Sequence, residues 1–166
     1  MITQRASHRG HKGQRRSQRG KPILKHKFLV LFTLMISDKT LSKAVLDASF
    51  PIHSDLGPGL LERVYERILQ AELIQKGFDV RRPVPIPIKY KNLEFDEAFR
   101  ADLIVEDKLL VELKASETNH PVYYRQVVGY LKLSRMRFGL LINFGSEHLK
   151  DGIRRVVNGY QALPTL

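Results

Sequence analysis

Cysteine is absent from this chain of 166 residues. Its absence excludes disulfides and thiolate metal sites, and it removes any redox argument for secretion. Acidic residues are absent from positions 1–27, although nine Lys or Arg fall there. A long apolar span is also missing. The run FLVLFTLMI at residues 28–36 is nine residues long with one Thr, whereas a bilayer-spanning helix needs about 20. No internal repeat is visible, so solenoid and array architectures are excluded.

What is present is enough to build a core. The apolar fraction is 43%, and a chain of this length defaults to one domain. The net charge of +11 is unevenly spread. Beyond position 27 the chain carries 19 basic and 17 acidic residues. The high isoelectric point therefore belongs to the tail, and bulk charge says little about the partners of the rest. Residues 1–27 are rich in Arg, Lys, Gln, Gly, Ser and His, a composition that reads as disordered. The expected division is a basic extension with a short apolar run over 1–36, and a folded domain over 37–166. Three readings of the extension stay open. It is a dispensable tail or a mis-assigned start, with Met35 beginning the protein; it is an accessory nucleic-acid arm; or it is an export signal, though no small-residue cleavage site follows closely.

Periodicity orders the domain. Leu41, Ala44, Val45, Ala48 and Ile52 have helical spacing. Gly57-Pro58-Gly59 breaks the chain, and Pro58 suits the first turn of a second helix that ends at Gly77. Residues 78–90 alternate Val80, Val84, Ile86 and Ile88, with Pro83, Pro85 and Pro87 at every second position. Prolines remove donors from one edge, so an edge strand is predicted. A hairpin follows over 99–115, then a helix over 119–135 with Val127, Tyr130, Leu131 and Leu133 inward. FGLLINF at 138–144 reads as a buried strand, and 147–160 as a closing amphipathic helix. The predicted order is helix, three strands, helix, strand, helix, an α/β domain.

The most informative stretch is RADLIVEDKLLVELK, residues 100–114. It reads as two short strands joined by a charged turn, with Asp102 in the first. Side chains alternate faces, so Glu112 and Lys114 point one way and Val111 and Leu113 the other. A turn centred on Asp107 puts residue 102 opposite residue 112. Two carboxylates then meet across the hairpin with a lysine one step along. Crowded carboxylates repel, and a hard divalent cation relieves that repulsion. A lysine beside such a cation can steer or deprotonate a water, an arrangement suited to metal-assisted hydrolysis of a phosphodiester. Charges on an open hairpin face are commonly just solvated. Here, however, Glu112 and Lys114 interrupt an apolar run, where a charge is costly unless paired or ion-bound.

Other candidates carry simpler explanations beside functional ones. Glu62 shares a helix side with Tyr65, Glu66, Leu69 and Leu73, an apolar face for a glutamate; complementarity with the helix dipole would also place it there. Gln126 and Tyr130 are four apart on one helix face, as a surface amide and a core ring could be. Arg100 shares the strand face of Asp102 and could contact a phosphate. His53, His120 and His148 show no metal-ligand spacing and read as structural or solvated.

These motifs together resemble a known family. LGPGLLE and GLLERVY, with its pattern Gly59-x-x-Glu62-x-x-Tyr65, then FRADLIVED, VELK and GLLINFG, fall in the order of the GxxExxY proteins. Those are grouped in the PD-(D/E)XK nuclease superfamily, and the resemblance covers about residues 41–160. It implies a restriction-endonuclease-like core, a mixed central sheet of about four strands flanked by helices in αβββαβ order. It implies that Asp102 is the first catalytic acid, Glu112 and Lys114 the acid-x-lysine pair, and Glu62 the helix glutamate. Gln126 and Tyr130 look like the Q-x-x-x-Y element of exonuclease-type members. Ala101 stands where many members have proline.

The resemblance implies a Mg²⁺- or Mn²⁺-dependent nuclease, with DNA favoured over RNA. Asp102 and Glu112 would hold the metal, with the Leu113 carbonyl and with Glu62 directly or through water. Lys114 would position the water. Gln126 and Tyr130 would hold the phosphate backbone or Lys114. The expected location is the cytoplasm, without stable membrane insertion. Two alternatives are a non-catalytic nucleic-acid or protein-binding module on the same fold, and a membrane-associated protein anchored by residues 28–36.

Overall fold

The computed structural model describes residues 36–159. Residues 1–35, all of the expected extension but Ile36, and residues 160–166 lie outside the described residues. α1 (Asp38–Leu56) begins where the Ser37 hydroxyl accepts a hydrogen bond from the Thr40 N–H at 3.1 Å, the usual N-cap arrangement. Its buried Leu41, Val45, Ala48 and Ile52 form one stripe. α2 (Glu62–Gln75) starts four residues after Pro58 rather than at it. The reason is local: Gly57 and Gly59 take φ of +67° and +106°, which only glycine adopts readily, so the chain turns twice before the helix begins.

The strands are β1 (Val80–Arg81), β2 (Val84–Tyr90), β3 (Leu93–Ala101), β4 (Leu103–Val105), β5 (Leu109–Lys114), β6 (Phe138–Asn143) and β7 (Ile153–Val157). α3 (Pro121–Ser134) lies between β5 and β6. A five-stranded sheet runs β1-β4-β5-β6-β7, and β2 and β3 pair separately. β5 and β6 are parallel, so α3 is a crossover; the other pairs are antiparallel. This is the expected α/β class, a mixed sheet with flanking helices, with five strands in the central sheet rather than about four.

Three elements differ from the sequence reading. The single edge strand over 78–90 is two strands in two sheets. Val80 pairs with Val105 and Arg81 with Ile104; Val84 then pairs with Ala101 and Pro85 with Arg100. The register is the same on both sides of the gap, so β1–β2 and β4–β3 form one antiparallel ribbon interrupted once, where Pro83 would face Asp102. Proline cannot donate there, and the ladder opens. Pro87 falls at the ribbon's second irregularity, between Ile86 and Ile88. Residues 93–98 were not expected as strand, because most of β3 is exposed and it has no buried face to reveal itself. The expected closing helix over 147–160 is instead a short 3-10 turn (Leu149–Gly152) and β7. Ile153, Val156 and Val157 are β-branched, and pairing to the open edge of β6 overrides helical spacing.

Sheet parity divides the core. Leu103, Val105, Leu109, Val111, Leu113, Leu140 and Ile142 pack with α1 and α2. Ile104, Leu110 and Leu141 pack with Val127 and Leu131 of α3 and with Ile86. A Cβ at Gly139 would lie 3.0 Å from Val127 Cγ1, so its absence lets α3 approach the sheet. Leu133, expected inward, is 50% exposed. It sits on the outer side of α3, away from the buried pair Val127 and Leu131.

Candidate active site

The β4–β5 pairs are Leu103 with Val111, Ile104 with Leu110 and Val105 with Leu109. This register centres the hairpin on Asp107. Asp102 itself is not inside a strand: it is the bend between β3 and β4, at the break in the ribbon. Freed from ladder pairing, its Oδ2 accepts from the Leu113 N–H at 2.7 Å. In an extended strand a residue's N–H and C=O point to the same edge. The Leu113 carbonyl therefore faces the edge where Asp102 stands, and Lys114 faces the other, its carbonyl accepting from the Phe144 N–H at 2.6 Å.

Glu112 and Lys114 share the sheet face of Leu110, toward α3. The Glu112 side chain is 3% exposed and that of Lys114 is 13% exposed. Lys114 Nζ donates to Glu112 Oε1 at 2.7 Å and lies 3.9 Å from Glu62 Oε1. The other oxygen, Glu112 Oε2, is buried and has no hydrogen-bond partner among the described residues. Such an orphan costs on the order of 1–3 kcal/mol, more for a charged group. Burial raises Asp102 to about 6, against the opposing pull of the Leu113 N–H and Lys114. Burial, and then the charge of Asp102, raises Glu112 to about 7. Burial alone would lower the Lys114 ammonium, but Glu112, with Glu62 and Asp102, holds it above its ordinary value.

Glu62 arrives from the start of α2. Three residues along, the Tyr65 hydroxyl donates to the Gly57 carbonyl at 2.6 Å and accepts from the Leu60 N–H at 3.2 Å. Its ring stacks on Phe144 with centroids 4.4 Å apart. Gly59, Glu62 and Tyr65 thus work as one unit: the glycine permits the turn, the tyrosine anchors it, and the helix start carries the carboxylate toward Lys114. One turn on, Glu66 Oε1 accepts from Arg82 at 2.9 Å, and Arg82 also donates to Gln70.

The remaining sequence candidates stand further out. Gln126 donates to the Tyr130 hydroxyl, and Tyr130 stacks on Phe99 at 3.7 Å. Burial raises the Tyr130 hydroxyl above its ordinary value, and the negative charge of Glu112 adds to this. Among the described residues, neither Gln126 nor Tyr130 hydrogen-bonds Glu62, Asp102, Glu112 or Lys114. Arg100 is exposed and pairs with Glu97 at 2.6 Å. His53 Nε2 is 2.9 Å from the Ser146 carbonyl, and His120 Nε2 is 2.8 Å from Thr118 Oγ1; both have structural partners. Sequence reasoning missed two contributors. Tyr123 places its ring 5.5 Å from Lys114 Nζ; its position three residues before Gln126 was the available signal. Buried Asn143, at the end of β6, donates to the Ser116 carbonyl at 2.8 Å and accepts from the Ser116 N–H at 3.0 Å. It ties down the chain just after Lys114, and an asparagine ending an apolar strand was its only trace.

The donors fit a hard divalent cation. They are oxygens only: buried Glu112 with its orphaned oxygen, and half-buried Asp102, whose charge helps raise Glu112, beside a strand carbonyl turned to the edge where Asp102 stands. Among the described residues, no three acidic or histidine side chains gather closely enough to hold a metal by themselves. The Leu113 carbonyl and water would have to complete the set. The family model of the PD-(D/E)XK nuclease superfamily matches residues 39–156, which span every element from α1 to β7. Searches of curated proteins and of solved structures found no match.

Proposed function

Because the chain belongs to the PD-(D/E)XK nuclease superfamily, we propose that it is a metal-dependent nuclease of the GxxExxY type, cutting phosphodiester bonds of DNA. Membership implies nucleic acid as substrate and, as is general in the superfamily, a divalent ion. The observation that carries the reading is the buried Glu112 carboxylate, close to half-buried Asp102 and with Oε2 unpartnered, beside the Lys114 ammonium. A protein that only bound a partner would have no physical reason to maintain that unfavourable concentration of charge. Gly59, Glu62 and Tyr65 as one structural unit support the GxxExxY assignment.

Asp102, Glu112 and the Leu113 carbonyl would hold Mg²⁺ or Mn²⁺, with Glu62 contributing through water. Held by these residues, such an ion would supply acidification of water and uptake of charge on the phosphate. Lys114 has three ammonium donors, and Glu112 takes one. The others are available to orient the attacking water and to stabilise charge developing on the phosphoryl oxygens. The Leu113 N–H keeps Asp102 aimed and ionisable. Gln126 and Tyr130 would contact the nucleic-acid backbone rather than the reacting atoms, and Arg100 would meet a phosphate further out. Among the described residues no helix is long and apolar enough to cross a membrane.

The near balance of charge beyond position 27, with 19 basic and 17 acidic residues, supports a second reading, a non-catalytic binding module. The test is cleavage of a DNA and RNA panel by the purified chain with Mg²⁺, Mn²⁺ or Ca²⁺. Cleavage of DNA with the first two and not with Ca²⁺ is expected. No cleavage of any substrate would leave the binding module as the reading.

A further inference from the structure

Tyr123 lies in the first turn of α3, which Pro121 starts. Its ring centroid is 5.5 Å from Lys114 Nζ, within the range of a cation–π contact. The same ammonium donates to Glu112 at 2.7 Å. The ring is itself fixed. His120 meets it edge-on, 5.5 Å away and perpendicular, and the chain leading to it is held at Ser116 by Asn143. The Tyr123 hydroxyl is less engaged, 3.4 Å from Ser116 Oγ. Its ring face, not its hydroxyl, is therefore what Lys114 meets.

That distinction matters chemically. A lysine tip has several rotatable bonds, and a single hydrogen bond to Glu112 does not fix it. Glu62 Oε1, 3.9 Å away, stands beyond hydrogen-bond distance and takes no donor; a closer carboxylate would fix the tip by consuming one. An aromatic face attracts the cation without taking a proton. We propose that Tyr123 is a positioning residue for Lys114, its ring confining the ammonium beside Glu112 while leaving two donors for the reacting groups. The catalytic half of this proposal rests on the nuclease reading; the contact itself does not.

The experiment therefore has two arms on the full chain. Lysine-selective ¹³C labelling reads the Lys114 Hε signals, assigned by their loss in Lys114→Met. Steady-state cleavage with Mg²⁺ reads kcat and KM. Tyr123→Leu should remove the ring-current shift of Lys114 and lower kcat about tenfold with KM little changed, which corresponds to ~1.4 kcal/mol. Tyr123→Phe should keep both the shift and the rate. If Tyr123→Leu does not fold, Tyr123→Met takes its place. A Lys114 signal unmoved by loss of the ring overturns the proposal. So does a Tyr123→Phe variant as slow as Tyr123→Leu, since the hydroxyl would then carry the effect. If the parent cuts nothing, the nuclease reading fails, and the NMR comparison alone decides whether the ring holds the lysine.

Discussion

The two faces of the central sheet are built from the same strands to opposite ends. On one, Leu109, Val111 and Leu113 of β5 meet α1 and α2, and every side chain is apolar and buried. On the other, Leu110 is followed by Glu112 and Lys114, facing α3. Each fully buried Leu or Val on the first face contributes roughly 1.5–3 kcal/mol. The second face gives up that gain at two consecutive inward positions and adds the cost of an unpartnered carboxylate oxygen. One face maintains the fold, and the other draws on that stability to keep charges out of water.

The comparison breaks most visibly if the charged face is neutralised. Lys114→Met should slow cleavage by at least about 100-fold, the range lost with a positioned proton-transfer or charge-stabilising group, while calorimetry still detects Mn²⁺ binding. Glu112→Gln should abolish cleavage and weaken Mn²⁺ binding together. A Glu112→Gln variant that binds Mn²⁺ as tightly as the parent would remove Glu112 from the metal set.

The opposite face should respond in the opposite currency. Leu113→Ala leaves a cavity among fully buried neighbours and should cost about 2–5 kcal/mol in urea denaturation. The backbone N–H and C=O of residue 113 remain, so its Mn²⁺ affinity at temperatures where it is folded should match the parent. Lost metal binding with intact stability would show that the division between the faces is wrong.

The sign of the pH response sharpens the contrast. Folded Asp102 and Glu112 sit at about 6 and about 7, above their ordinary 3.8 and 4.5. The folded state therefore holds protons that the unfolded state releases. This contribution to metal-free stability is fully present below about pH 4. It is lost as pH rises toward 7. Denaturation in EDTA at pH 5 and pH 8 checks it. Mg²⁺ should raise the melting temperature more at pH 8, and Glu112→Gln should flatten the dependence. Metal-free stability that rises from pH 5 to pH 8 through these groups would contradict the burial argument.

The smallest effect belongs to the loop before α2. Tyr65→Phe keeps the stack on Phe144 but loses the bonds to Gly57 and Leu60. A cost of about 1 kcal/mol is expected, with kcat reduced only as far as Glu62 drifts from Lys114.

Strand parity made the hairpin legible: the turn centred on Asp107 and the shared face of Glu112 and Lys114 needed only alternation. Helices α1 and α2 were legible from their apolar stripes. What escaped depended on partners distant in sequence. β3 has little buried surface of its own and exists because β2 lies beside it. β7 carries spacing compatible with a helix and is a strand because β6 offers an open edge. Asp102 was expected inside a strand and stands at a bend, since nothing local shows that Pro83 faces it. Tyr123 fell in the expected helix and Asn143 in the expected buried strand, and neither position showed that Tyr123 would meet Lys114 or that Asn143 would hold the chain at Ser116.

The interruption where Pro83 faces Asp102 has an evolutionary corollary. Beyond that seam β2 and β3 pair only with each other; their root packs on α3 through Ile86 and Phe99, and the ribbon ends in the turn between Tyr90 and Leu93. Pairs can be added or deleted at the turn without altering the bond from the Leu113 N–H to Asp102. The exposed end of the hairpin can thus be lengthened or shortened, which changes what it reaches while the acid at its root stays in place.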